Sequence, residues 1–159
     1  MKKNFTPEEK LKSHNTNLKA AHSLYLLTGV LSIVYTVRYF ITGNFNFFFT
    51  LAFSDMFLKL GHSGEINTVL SYVLTAVFYL IYFGIGIAIT KKQSLFPALL
   101  AIFSLDTVCL LFCDFVLWQK PQNTDFIIDI ICHFWVLLFL IVGTRSLFAL
   151  KKQKLKTNG

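Results

Sequence analysis

The stretch VLSYVLTAVFYLIYFGIGIAIT, Val69–Thr90, runs for 22 residues without one charged side chain. A helix rises about 1.5 Å per residue, so about 20 apolar residues suffice to cross the hydrocarbon core of a bilayer. Three further runs, Ala20–Ile41, Phe96–Trp118 and Phe126–Leu150, have similar length and character. Hydrocarbon supplies no hydrogen-bond partners, so backbone placed there must satisfy itself as helix. The chain therefore reads as an all-α membrane protein with four transmembrane helices in a bundle. Its domain occupies residues 20–150, between a basic tail at 1–19 and another at 151–159.

Composition agrees with this reading. Hydrophobic residues make up 55% of the chain and charged residues 14%, with 18 phenylalanines, against about 25% charge in an average soluble domain. The net charge of +7 does not indicate nucleic acid, because the lysines sit at the ends of the apolar runs rather than along one face. That distribution orients membrane helices. Lys2, Lys3, Lys10, Lys12 and Lys19 precede the first run, Lys91 and Lys92 separate the second and third, and Lys151, Lys152, Lys154 and Lys156 follow the fourth. The two other loops carry only Lys59 and Lys120. The expectation is a plasma-membrane protein with both termini cytoplasmic. The 19 mostly polar residues before the first run, with no small-x-small cleavage pattern after it, argue that this span is retained rather than cleaved as a signal peptide.

In the N-terminal tail, Thr6-Pro7-Glu8-Glu9 has the form of a capped helix start, with Thr as cap, Pro in the first turn and Glu9 closing a capping box. A short helix to about Leu18 is expected. Its Leu11 and Leu18 are too few to bury it, so the segment reads either as lying near anionic headgroups or as a disordered basic tail.

Between the first two spans, Phe45–Leu60 is aromatic but interrupted by Asn46, Thr50, Ser54, Asp55 and Lys59 at roughly helical spacing. This pattern suits a short interfacial helix with Phe47, Phe48, Leu51 and Phe57 toward apolar surroundings. A re-entrant helix is the alternative, and it requires protein around its inner end.

Two spans carry polar seams. His22, Tyr25, Thr28, Ser32, Tyr35, Tyr39 and Thr42 repeat every three or four residues in the first. Thr68, Ser71, Thr75, Tyr79, Tyr82 and Gly86 do much the same in the second. Each set lies on one helix face and reads as either a helix–helix interface or the polar wall of a cavity.

The candidate site residues are the charges within the spans. Burying an ionisable group in a membrane is expensive, so each is a functional hypothesis. By helical rise, Asp106 falls near the midplane and Asp114 near the outer boundary. Asp129 and His133, four apart on one face, lie in the outer half of the last span, and Arg38 reaches similar depth from the first. Arg38, Asp106, Asp114, Asp129 and His133 are therefore the predicted binding residues. They either surround an outward-facing hydrated site or form a structural ion-pair network.

No cofactor and no metal are predicted. Two histidines at different depths do not suit a haem, and Asp129, Cys132 and His133 do not have the spacing of a zinc cassette. Cys109, Cys113 and Cys132 are odd in number and intramembrane, which argues against a disulfide framework.

The functional expectation is a non-enzymatic ligand-binding or partner-binding protein with an outward-facing polar pocket, such as an accessory, immunity or transport-related subunit. The alternative is an intramembrane hydrolase-like enzyme acting on a lipid-linked or peptide substrate through Asp114, Asp129 and His133. Membrane lipids are the expected partners, with a homo-oligomer or a larger membrane complex next. A single four-helix unit encloses too narrow an interior for a transport path of its own.

Overall fold

The structure is a computed structural model and describes residues 6–43, 49–113, 115 and 124–157. It is an all-α bundle, with no strand among the described residues. In chain order the helices are α1 (Pro7–Thr42), α2 (Ala52–His62), α3 (Thr68–Lys91), α4 (Phe96–Phe112) and α5 (Thr124–Thr157), with a single 3₁₀ turn, Gln93–Leu95, before α4. Four of them, all but α2, are long and apolar enough to cross a membrane, the mark of an integral membrane protein. Their outer surfaces carry fully apolar side chains such as Ile41, Leu80 and Ile131.

The N-terminal tail is more ordered than its composition suggests. The capping box forms as predicted: Glu9 N–H donates to Thr6 Oγ1 at 3.3 Å, and Thr6 N–H donates to Glu9 Oε2 at 2.8 Å. The helix that starts there does not stop near Leu18 but continues into the first span, making 36 residues in all. Leu18 is buried, and His14 Nδ1 and Ser146 Oγ share a hydrogen bond of 3.3 Å, so the tail rests on α5. α5 is equally long, and no break separates its spanning part from the basic residues after Leu150. At the other end of α1, Gly43 takes φ 67° and closes the helix by donating to the Tyr39 carbonyl, a conformation that a residue without Cβ adopts at little cost.

α1 and α3 run antiparallel and meet along the two polar seams. His22 Nε2 lies 2.7 Å from the Gly86 carbonyl. Tyr25 and Tyr82 stack with ring centroids 4.0 Å apart, and each hydroxyl donates to the other's main-chain oxygen, at 3.1 and 2.8 Å. Tyr79 Oη bonds Ser32 and Thr36, both at 2.8 Å. The hydroxyls thus satisfy one another across an interface, where apolar surroundings would otherwise leave them unbonded. The seams are a helix–helix contact.

α2 is the predicted short helix between the first two spans, and its inclination decides the site. Gly61, in its last turn, lies so close to α3 that a Cβ there would overlap the Ser71 side chain. This approach makes α2 and α3 a tight hairpin. From there the first turn of α2 reaches Tyr79, near the midpoint of α3, where Ser54 Oγ accepts from Tyr79 Oη at 3.2 Å. The start of α2 is thus enclosed by protein, as a re-entrant helix requires. Thr50 and Ser54, read from the sequence as part of the polar stripe of an interfacial helix, are buried at 6% and 1% exposure, and Ser54 is received by the hydroxyls of Ser32 on α1 and Tyr79 on α3. Leu51 is wholly buried, as its apolar assignment requires, whereas Phe47 and Phe48 lie outside the described residues.

Candidate functional site

The inner end of α2 poses a problem that the rest of the chain solves. The first backbone N–H groups of any helix have no partner within it. The cap residue of α2, Leu51, has no side chain able to help, and its own N–H is taken up by Ser32 Oγ at 3.0 Å. The missing acceptor comes from α4. Asp106 receives Phe53 N–H on Oδ1 at 3.0 Å and Ala52 N–H on Oδ2 at 3.1 Å. A carboxylate at this position also faces the positive end of the helix dipole. A residue more than fifty positions away thereby caps α2.

The same carboxylate joins α5. His133 Nε2 lies 3.3 Å from Asp106 Oδ2, and both side chains are fully buried. The other ring nitrogen, Nδ1, is 2.9 Å from the main-chain oxygen of Asp129 one turn earlier. A carbonyl oxygen can only accept, so Nδ1 carries the hydrogen that it donates. The ring is clasped by Phe49, with centroids 4.9 Å apart, and by Phe103, at 5.4 Å. Imidazole, carboxylate and two aromatic faces, from α5, α4 and the residues before α2, thus fix one another.

Asp129 completes the row but is held differently. Its Oδ1 lies 3.1 Å from His133 Nδ1, yet the N–H there is aimed at the main-chain oxygen, and among the described residues the buried Oδ1 has no hydrogen-bond donor. An acceptor left in this condition costs on the order of 1–3 kcal/mol, more when charged. Asp129 is thus the member of the row with unused bonding capacity. Further along α2, Asp55 and Lys59 form an ion pair one turn apart.

The five residues singled out from the sequence divide as follows. Asp106, Asp129 and His133 come together. Arg38 is exposed on α1, and among the described residues no ion pair or hydrogen bond joins its side chain to those three. Asp114 lies outside the described residues. Sequence reasoning missed the two main-chain N–H groups held by Asp106 and the two rings, Phe49 and Phe103, that pack on His133. The one available signal was the lack of a capping side chain before Ala52. Among the described residues no group of three or more acidic, His or Cys side chains is arranged to hold a metal ion. Cys109 and Cys113 form no disulfide; their sulfurs lie 3.8 Å apart, one turn from each other at the end of α4.

No family model matches this chain, and no curated protein or solved structure matches it either. The functional reading rests on the geometry alone.

Proposed function

We propose that this chain is a non-enzymatic integral membrane protein that binds a small ligand or a partner segment on the side of the bundle where Asp129 lies, as an accessory, immunity or transport-related subunit does. The observation that carries this reading is the buried Asp129 Oδ1, which has no donor among the described residues, while Asp106 and His133 are hydrogen-bonded. Asp106 and His133 hold α2 and α5 in register; Asp129 offers an acceptor that a hydroxyl, amine or amide of an incoming group would fill. Enzymatic use of the row would require a nucleophile or base free to move, and Asp106 is committed to two main-chain N–H groups. The lysine distribution supports a plasma-membrane protein with cytoplasmic termini. Membrane partners or further copies of the chain would extend its narrow interior.

The test is purification of the full chain from mild detergent, with identification of whatever co-purifies, for the native chain and for Asp129→Asn. Binding through Asp129 predicts that the bound species is lost from the variant while the melting temperature stays within a few degrees. An unfolded Asp129→Asn protein, or one that keeps its bound species, overturns the reading in favour of a purely structural row. Reporter fusions at Gly159 and near Lys59 should locate to opposite sides; a common side would refute the orientation.

A further inference from the structure

Two cavities open on the lipid-facing side of the bundle between α1 and α5. One, of about 350 Å³, lies between Leu24, Leu27 and Leu31 of α1 and Ile131 and Trp135 of α5. The other, of about 260 Å³, is lined by Asn17 and Ala20 of α1 and by Leu138 and Val142 of α5. Trp135 lines both, so the two adjoin along the helix pair, and we take them together as one channel.

The channel follows two regular stripes. On α1, Leu31, Leu27, Leu24, Ala20 and Asn17 alternate in steps of four and three, and the same stripe continues through Ser13 to Lys10. On α5, Ile131, Trp135, Leu138 and Val142 alternate likewise and lead to Arg145. Residues at these steps share a helix face. Both stripes thus run from apolar side chains to a cation at the same end of the bundle, where His14 meets Ser146. Lys10 and Arg145 are exposed, and among the described residues neither has an ion-pair partner.

We infer that this channel is a binding site for an anionic phospholipid, one acyl chain lying between α1 and α5 and the phosphate held by Lys10 and Arg145. The length fits. From Ile131 to Arg145 the helix rises about 21 Å, enough to take an extended chain from the headgroup level through a leaflet whose hydrocarbon depth is about 15 Å, half the bilayer core. The lining argues against a second helix as occupant. Helices approach closely in lipid over small residues, whereas bulky Leu, Ile and Trp side chains make up most of this lining, with few small residues such as Ala20 and Thr28. The paired cations supply what an acyl chain alone would not need and a phosphate does, since basic side chains at this level attract anionic headgroups. The inference does not rest on the role assigned to Asp129, which lines neither cavity.

The experiment is native mass spectrometry of the full chain in mild detergent, titrated with phosphatidylglycerol or with phosphatidylcholine of the same acyl composition. The native chain should retain phosphatidylglycerol more tightly by on the order of tenfold, from two cations each contributing severalfold. Lys10→Gln with Arg145→Gln should abolish that preference while leaving the weaker uptake of phosphatidylcholine. Val142→Trp, which fills the channel, should reduce uptake of both lipids; Ala20→Trp does the same from the opposite wall should the first variant fold poorly. Equal retention of the two lipids by the native chain, or a preference unchanged in the Lys10 and Arg145 variant, would overturn the inference. So would a dimer that excludes lipid and is broken by Val142→Trp, which would assign the face to a second copy.

Discussion

Replacing Asp106 should release the inner end of α2. In Asp106→Ala the N–H groups of Ala52 and Phe53 lose acceptors at 3.1 and 3.0 Å, and His133 Nε2 loses its hydrogen-bond partner. The bonds to Ala52 and His133 are buried, and that to Phe53 is partly so. Each stranded donor costs on the order of 1–3 kcal/mol, and breaking a buried charged network by removing one member costs about 3–5 kcal/mol. These figures describe overlapping losses, so the expected destabilisation is about 3–5 kcal/mol rather than their sum. For a chain of this length that corresponds to a fall in melting temperature of roughly 6–20 °C. Asp106→Asn keeps the shape and one acceptor but turns an amide N–H₂ toward a donor. It should lose about half as much. Hydrogen exchange locates the damage: Ala52 and Phe53 amides should lose protection in both variants, whereas the amides in the middle of α3 should not. Native stability together with native protection at Ala52 and Phe53 in Asp106→Ala would refute the capping argument outright.

Other substitutions probe the packing that carries this end of α2. Tyr82→Phe removes a hydroxyl bonded to the Tyr25 carbonyl and to Thr28 and should cost about 0.6–1.7 kcal/mol, the range for hydrogen bonds between membrane helices, read as a modest fall in detergent melting temperature; no fall would mean that the seam is replaceable packing. Gly61→Val places bulk against Ser71 and should destabilise by about 1–3 kcal/mol through overpacking, with Ser71→Gly in the same chain restoring part of the loss. Ser54→Cys, at a buried position, should resist a membrane-impermeant maleimide in the folded protein, whereas Glu65→Cys, at an exposed position in the outer turn, should react quickly; equal labelling would place α2 across the outer surface instead.

Periodicity made the spans and the seams legible. Tyr25, Thr28 and Ser32 lie on one face of α1, and Tyr79 and Tyr82 on one face of α3. Two such faces in neighbouring antiparallel helices have little else to bond to. The Thr6 and Glu9 cap was readable for a similar reason, since all its atoms lie within four residues. The site was legible only in part. Helical rise gives a residue's depth but not the direction in which it points around the bundle. Asp106 and His133 were therefore brought near one level, while Arg38, at comparable depth, turns outward from the group it was expected to neutralise. The capping of α2 left almost no trace, because its acceptor stands on another helix and its donors are main-chain groups that any residue would supply. The inward tilt of Thr50 and Ser54 was hidden similarly: a polar stripe is compatible with water or with hydroxyls from neighbouring helices, and only the fold distinguishes them.

The capping of α2 by α4 also bears on how the chain is made. α2 leaves the ribosome well before Asp106 does, so for that interval no carboxylate exists to receive Ala52 and Phe53 N–H groups within the bilayer. Uncapped backbone is not stable in hydrocarbon. The short helix must wait near the water until the third span has entered, and seat itself afterwards. Biogenesis is thus expected to be two-step at this point, with the α2–α3 hairpin threading first and dipping later. Nascent chains arrested before Asp106 should leave a cysteine at position 54 open to aqueous reagents, and chains arrested once α5 has emerged should shield it.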